Sequence, residues 1–437
     1  MRIKQISTAA AIAAAAGIAT SIVPAASAQA ATSAAVPLPI AHYSHLVIDP
    51  AHQHIFFSEG TGYSSILVTD FSGNTVATIS NEPGATGLAL APDGSTVYAA
   101  LANGDAVSAI STTTLAETGR YATGTGTDPT YVAAAGGRIW FGYGAAAQGG
   151  LGSIDPSTSP ATVDLGAVPG SWYSAPLVTA NPQGELVVGE TSVEPPNIAT
   201  YDVSSGSAVV LAPQTRLSND SNINSMALTP DGQDVVLATG APYYHQVYKV
   251  SDLSQDGTYT SGAYPNSVSV SGDGSVAAGI DAGSNEVFVY APRGSSPLNT
   301  YNFGSNWLAA DGVALTPDGS ELFAVTTAGY NGAPTLNIEP NPEQTAAALS
   351  LTAPATAKPK QQLKVSGALS GQSPYIGGRT LHVTCNGVAM PDVTTAADGS
   401  FSFTDTPQKK GTYTYQVSYA GDVHLTAATA SATITVG

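Results

Sequence analysis

One hydrophobic pattern recurs along most of the chain: a short apolar strand, a tight turn rich in Pro, Asp and Gly, then a second apolar strand. Residues 46–50 (Leu-Val-Ile-Asp-Pro) are followed by 55–57 (Ile-Phe-Phe), and residues 88–94 (Leu-Ala-Leu-Ala-Pro-Asp-Gly) by 97–100 (Val-Tyr-Ala-Ala). A worn third copy runs 131–137 and 139–141, without the proline, and a fourth runs 177–184 and 186–188. The fifth is 226–232 (Met-Ala-Leu-Thr-Pro-Asp-Gly) with 235–237. The sixth is 268–274 with 276–278, and the last is 313–319 (Val-Ala-Leu-Thr-Pro-Asp-Gly) with 322–325. Proline presets φ at the second turn position, Asp caps local amides, and Gly takes the positive φ that closes the hairpin.

The turns recur every 42 to 48 residues, the length of one four-stranded propeller blade. Two further strand-like runs lie between copies, such as 65–70 with 75–79, and 246–250 with 258–260. Seven such units predict an all-β, seven-bladed propeller over residues 36–340. The last unit lacks an outer strand, because residues 335–338 run straight into Glu-Pro-Asn-Pro. Residues 36–42 precede the first unit without a unit of their own. They are expected to supply the missing strand and remove the open edge, a place where prolines are tolerated.

Residues 228–232 (Leu-Thr-Pro-Asp-Gly), 314–319 (Ala-Leu-Thr-Pro-Asp-Gly) and 198–202 (Ile-Ala-Thr-Tyr-Asp) resemble the inner strand, turn and third strand of YVTN-type propeller repeats. The resemblance covers about residues 37–340 and implies a WD40-like disc. No Trp-Asp dipeptide marks a WD40 array itself, and double glycines do not recur as in kelch. A short Pro-rich linker, 341–346, leads to about seven alternating strands over 347–437, which predict a β-sandwich. Residues 411–422 (Gly-Thr-Tyr-Thr-Tyr-Gln-Val-Ser-Tyr-Ala-Gly-Asp) resemble the late strands of bacterial Ig-like domains.

The leader changes the compartment. Arg2 and Lys4 precede an apolar Ala-rich run over 9–23, and small residues flank Ser27 and Gln29. Residues 1–30 are therefore expected to be a signal peptide. No later stretch approaches the ~20 apolar residues of a spanning helix. No hydrophobic tail or sorting motif precedes Gly437. The product is expected to be secreted, released or held non-covalently at the cell envelope. Charge is uneven. Residues 31–344 carry 27 acidic and 5 basic side chains, a net −22, whereas 345–437 carry 4 and 6. A field of that sign repels phosphate backbones, which argues against nucleic acid. Cys385 is the only cysteine, so no intrachain disulfide forms, and its strand-like flanks read as a small hydrophobe.

No Gly-x-Ser-x-Gly elbow, His-Glu-x-x-His, P-loop or Cys-x-x-Cys is present. His42, His45, His52 and His54 cluster in sequence. His45 opens an inner strand that His52 and His54 follow, however, which separates them by ~16 Å, too far for one metal. Aligning the units places Ser44, Thr86, Pro129, Pro176, Asn224, Asn266 and Asp311 at equivalent positions before the inner strand. Glu82, Asn224, Asn266 and Asp311 are a candidate set for Ca²⁺ or another hard cation, or a device for satisfying backbone groups of the inner loops. The loops at the same end carry Tyr63, Trp172, Tyr173, Tyr243, Tyr244, Trp307 and Tyr330, flat apolar surfaces with polar handles that suit sugar rings or peptide side chains. Lys358, Lys360, Lys364, Lys409 and Lys410 form the only basic grouping, either a solvated surface or a contact for anionic envelope polymers.

The expected function is non-enzymatic: a propeller face that binds an extracellular glycan or protein, with the Ig-like part as spacer or anchor. The alternatives are a lactonase-like hydrolase built on a channel cation and a purely architectural surface protein.

Overall fold

The computed structural model describes residues 21–22, 32–168, 170–282, 286–329 and 332–437. The expected signal peptide lies outside them, apart from Ser21–Ile22. Strand dominates, and no described helix is long and apolar enough to cross a membrane. Two compact units divide the chain, one of Ala31–Glu343 and one containing Gln344–Gly437.

Among the described residues of the first unit are seven antiparallel four-stranded sheets, each built from strands consecutive in sequence except the last. Their first strands are His45–Asp49, Ala85–Leu90, Tyr131–Ala135, Leu177–Ala180, Ile223–Leu228, Pro265–Val270 and Trp307–Leu315. Each lies beside the first strand of the next sheet, and the seventh lies beside the first. All seven line one central space of about 560 Å³. This is a β-propeller, with first strands at the axis and fourth strands at the rim.

The repeated turn explains the local structure. Gly94, Gly232 and Gly319 take φ of +71°, +68° and +71°, and their amides donate to Ala91, Thr229 and Thr316 at 2.8, 2.9 and 3.0 Å. The preceding carboxylates accept the next amide: Asp93 from Ser95, Asp231 from Gln233 and Asp318 from Ser320. Hydroxyls add to these, Thr229 on Asp231, Ser320 on Asp318 and Ser95 on Asp93. The hydroxyl bond of Asp231 and Asp318 and the amide bond of Asp93 lead in holding all three carboxyls below the usual carboxylate range.

Packing between sheets is apolar. Leu46, Ile55 and Phe57 of the first sheet bury against Phe323, Val325 and Leu336 of the seventh, each side chain contributing ~1.5–3 kcal/mol. Residues Ala34–Pro37 form the fourth strand of the seventh sheet, pairing Ala34 with Ile338 and Val36 with Leu336. Leu38 then buries in the same cluster, so this N-terminal strand is tied to the last sheet of the ring.

The second unit holds Ala348–Thr352, Leu363–Ser370 and Ser400–Asp405 in one sheet, and Thr380–Cys385, Gly411–Tyr419 and Ala428–Val436 in another. Alternate residues are buried, as at Leu349, Leu351, Val365, Leu381, Val383, Val417 and Ile434, the period expected where one face of a sheet forms a core. The five lysines are all exposed. The Lys360 amide donates to the Pro407 carbonyl at 2.7 Å, which brings Lys358 and Lys360 alongside Lys409 and Lys410. Cys385 is half-buried, and burial pushes its thiol up from the ordinary value.

Candidate functional site

At three of the aligned positions before the inner strands the side chain joins neighbouring sheets. Thr86 Oγ1 donates to the Thr130 carbonyl at 2.7 Å, Asn224 Nδ2 to the Pro265 carbonyl at 3.1 Å, and Asn266 Nδ2 to the Leu308 carbonyl at 2.9 Å. Each bond runs from one sheet to the next. Pro129 and Pro176 hold this position in the third and fourth units and have no donor to offer. There Gly142 permits close approach instead, since a Cβ at that residue would stand 1.9 Å from the Pro176 carbonyl oxygen.

Asp311 closes the circle differently. The seventh inner strand shifts register between Leu308 and Val313, so residues 309–312 bulge out of the ladder, with Asp311 at a left-handed φ of +51°. Its carbonyl accepts the Tyr43 hydroxyl at 2.8 Å. Its carboxylate accepts the Ser225 hydroxyl of the fifth sheet and stands 3.0 Å from His45 Nε2 of the first. His45 Nδ1 accepts the Leu88 amide at 3.3 Å. With Nδ1 accepting, Nε2 is the ring nitrogen that donates a hydrogen bond to Asp311. One side chain thus ties three sheets across the axis.

Above this bridge lies a cavity of about 440 Å³, whose walls include Ser44, Asn224, Asn266, Asp281, Tyr43 and Trp307. Trp307 opens the seventh inner strand and is 44% exposed. Tyr243 and Tyr264 pack edge to face at 5.3 Å, both exposed, and the Tyr264 carbonyl accepts the Asp281 amide at 3.0 Å. Asp281 follows directly on the second strand of the sixth sheet, Val276–Ile280, and burial raises its carboxyl above the ordinary value. Tyr63 is exposed and stacks on His42 at 6.1 Å. The cavity itself combines the Trp307 indole with amide, hydroxyl and carboxylate groups.

Several residues singled out from the sequence lie elsewhere. Trp172 is 3% exposed and corrects the expectation of a surface ring. It bridges Gly149 in the backbone ladder, and its indole packs with Trp140, Leu151 and Val178 in the core between the third and fourth sheets. The neighbouring Tyr173 is exposed, and Tyr244 is half-buried. Tyr330 falls outside the described residues.

The four-residue cation set is not assembled. Glu82 is fully buried, with the Arg120 guanidinium of the second sheet's outer strand at 3.6 Å. Burial pushes its carboxyl up to about 7, against the opposing pull of Ser108 and Arg120. Asn224 Oδ1 accepts from Asn222, Asp311 is engaged by Ser225 and His45, and Asn266 Oδ1 is buried with no hydrogen-bond partner among the described residues.

Asp281, Tyr264 and Tyr43 were not singled out from the sequence. Tyr264 and Asp281 do flank the sixth unit's first two strands, and their nearness to the Asn266 position is the signal that marks them.

No family model matches the chain, and no curated protein matches it. The fold does have solved neighbours. A chain of hydrazine synthase from Kuenenia stuttgartiensis superposes with a TM-score of 0.54 at 16% identity, covering 71% of this chain and 98% of that one. The β-propeller domain of Cps50 (Swd1) from Myceliophteria thermophila superposes with a TM-score of 0.53 at 11% identity, covering 69% of this chain and 97% of that domain. At such identities the likeness is one of fold: this chain carries a β-propeller of the kind found in those structures.

Proposed function

We propose that the protein is a secreted saccharide-binding protein. In this reading a seven-bladed propeller of the YVTN type seats a sugar at its channel mouth. An Ig-like sandwich carries the propeller and spaces it from, or ties it to, the cell envelope. The observation that carries the reading is the cavity of about 440 Å³ with Trp307 on its rim and Ser44, Asn224 and Asp281 in its walls. That volume lies within the ~300–1,000 Å³ of small-molecule sites. A sugar presents an apolar C–H face and a rim of hydroxyls, and the cavity offers an indole for the first and hydrogen-bonding groups for the second. Exposed Tyr63 stacks on His42, which lines the cavity, and adds a second ring beside it. The propeller's net −22 disfavours polyanions, whereas the exposed lysines of the Ig-like part suit anionic envelope polymers.

The test is a glycan panel probed with the full chain and with Trp307→Ala. The reading expects a saccharide hit that weakens about tenfold or more in the variant, as for loss of a stacked ring. It fails if no saccharide binds, or if a hit is indifferent to Trp307.

A further inference from the structure

The first, fourth and sixth sheets each place a carboxylate directly after the second strand: Glu59 after His54–Ser58, Glu190 after Glu185–Gly189, and Asp281 after Val276–Ile280. The first two are saturated by their own loops. Glu59 accepts the Ala41 amide at 3.0 Å and the Ser65 hydroxyl at 2.9 Å. Glu190 accepts the Tyr173 amide at 3.0 Å, and the Asn197 amide and side chain at 2.9 and 2.7 Å. Ser65 and Asn197 open the third strands of their sheets with side chains that donate, whereas the residue that opens the third strand of the sixth sheet is Glu286, whose side-chain carboxylate only accepts.

Asp281 has no hydrogen-bond donor and no cation at its carboxylate among the described residues, although it lies half-buried in the cavity wall. No lysine or arginine lines that cavity among the described residues. The cavity on the opposite face, about 360 Å³ between the fifth and sixth sheets, shows the contrast. There Arg293 pairs with both Asp234 and Asp256, so two of its carboxylates meet a cation supplied by the protein itself.

The Asp281 carboxylate keeps contact with solvent, so the groups it takes up there are water molecules that a ligand's donor or positive charge can displace. Its cavity neighbour Trp307 presents a ring whose π-face also favours cations, and the whole unit's −22 raises the local concentration of positive ligands. We propose that the ligand of this cavity is an amino sugar with a free, protonated amine. Its ammonium donates to Asp281 while the pyranose face rests on Trp307. The hydroxyls turn towards Ser44 and the Asn224 amide oxygen, which already takes one hydrogen bond from Asn222. The inference rests on the saccharide reading and narrows it, because N-acetylation would remove the charge and set a bulkier neutral group against the carboxylate.

The experiment titrates the full chain calorimetrically with a β-1,4-linked glucosamine tetramer and with its fully N-acetylated counterpart. Both titrations are made at pH 6, at low and high salt, and repeated on Asp281→Asn. The expected result is about tenfold tighter binding of the free amine. That preference should shrink at high salt and vanish in Asp281→Asn, while Trp307→Ala weakens both ligands. Equal affinity for the two tetramers, or a preference that survives Asp281→Asn, overturns the amino-sugar assignment and leaves the saccharide reading standing. If neither tetramer binds, the assignment falls. The saccharide reading falls with it only if the full glycan panel is also silent.

Discussion

Replacing Glu82 with glutamine should stabilise the propeller at neutral and alkaline pH and leave it unchanged in acid. The folded carboxyl keeps its proton up to about pH 7, against an ordinary value of 4.5, because it is fully buried. Between those two pH values the native state binds the extra proton, so each rise in pH costs stability. Below 4.5 both states are protonated, and above 7 both are ionised, so the contribution is flat at either end. The difference between the two values corresponds to about 3 kcal/mol at pH 8. A neutral amide in place of the carboxyl would avoid that cost and keep the shape. Arg120 would retain Glu117 at 2.6 Å and the Asn81 carbonyl at 2.6 Å, so no orphaned guanidinium is created.

The assay is urea denaturation at several pH values, followed by tryptophan fluorescence. All three tryptophans lie in the Ala31–Glu343 unit, so the signal reports the propeller alone. The stability gain of Glu82→Gln should rise from near zero at about pH 4.5 to about 3 kcal/mol at pH 8. A gain independent of pH, or a variant weaker than wild type at pH 8, would refute the reasoning. Stabilisation of wild type by calcium that Glu82→Gln abolishes would instead restore this residue as a metal ligand.

Further consequences follow from other contacts. Asn266→Ala removes the buried bond to the Leu308 carbonyl and should lower the propeller's stability in urea by ~1–3 kcal/mol; no change would deny that this position ties the sheets together. His245 is fully buried, with the Ser261 hydroxyl at 2.7 Å and the Ser267 carbonyl at 3.0 Å, and burial pushes its imidazole down to about 4. The unfolded chain takes up a proton near pH 6.5 that the folded one refuses until about 4, so stability should fall by about 3 kcal/mol as pH drops through that window. His245→Gln should flatten the pH slope relative to wild type in the same denaturation series. A protein beginning at Leu38 lacks the strand Ala34–Pro37 and exposes the edge of Pro334–Pro340. It should melt earlier by scanning calorimetry, at a cost of ~2–4 kcal/mol in hydrogen bonds, and should associate more readily.

The propeller was legible because its turn chemistry is repeated. Pro-Asp-Gly at 92–94, 230–232 and 317–319 forces the same hairpin wherever it occurs, and the strands on either side inherit their register from it. The Ala34–Pro37 pairing was foreshadowed by an unmatched apolar segment at one end of the repeat and a missing strand at the other. The alignment also located the position of Thr86, Asn224, Asn266 and Asp311. What those residues do depends on which carbonyl the next sheet brings within reach, and a linear pattern does not carry that distance.

Glu82 shows the limit clearly. Three residues before an aligned strand it reads as a channel group, yet its side chain turns outwards into the seam beside Arg120. Trp172 shows another limit. A Gly-Ser-Trp-Tyr loop looks exposed in sequence, but the bridge to Gly149 turns one ring inwards and leaves Tyr173 outside. Asp281 was overlooked because its significance lies in the donors it lacks, which appear only against the saturated Glu59 and Glu190.

The most direct measurement of the central claim uses the tryptophans themselves. Trp140 and Trp172 are 1% and 3% exposed, whereas Trp307 on the cavity rim is 44% exposed, so acrylamide should quench the indole of Trp307 selectively. A saccharide seated in the cavity should shield that indole, lowering the quenching constant saturably with ligand concentration, and Trp307→Phe should abolish the quenchable fraction. If a saccharide binds while Trp307 remains as open to acrylamide as before, the ligand lies elsewhere and the channel-mouth cavity is not the site.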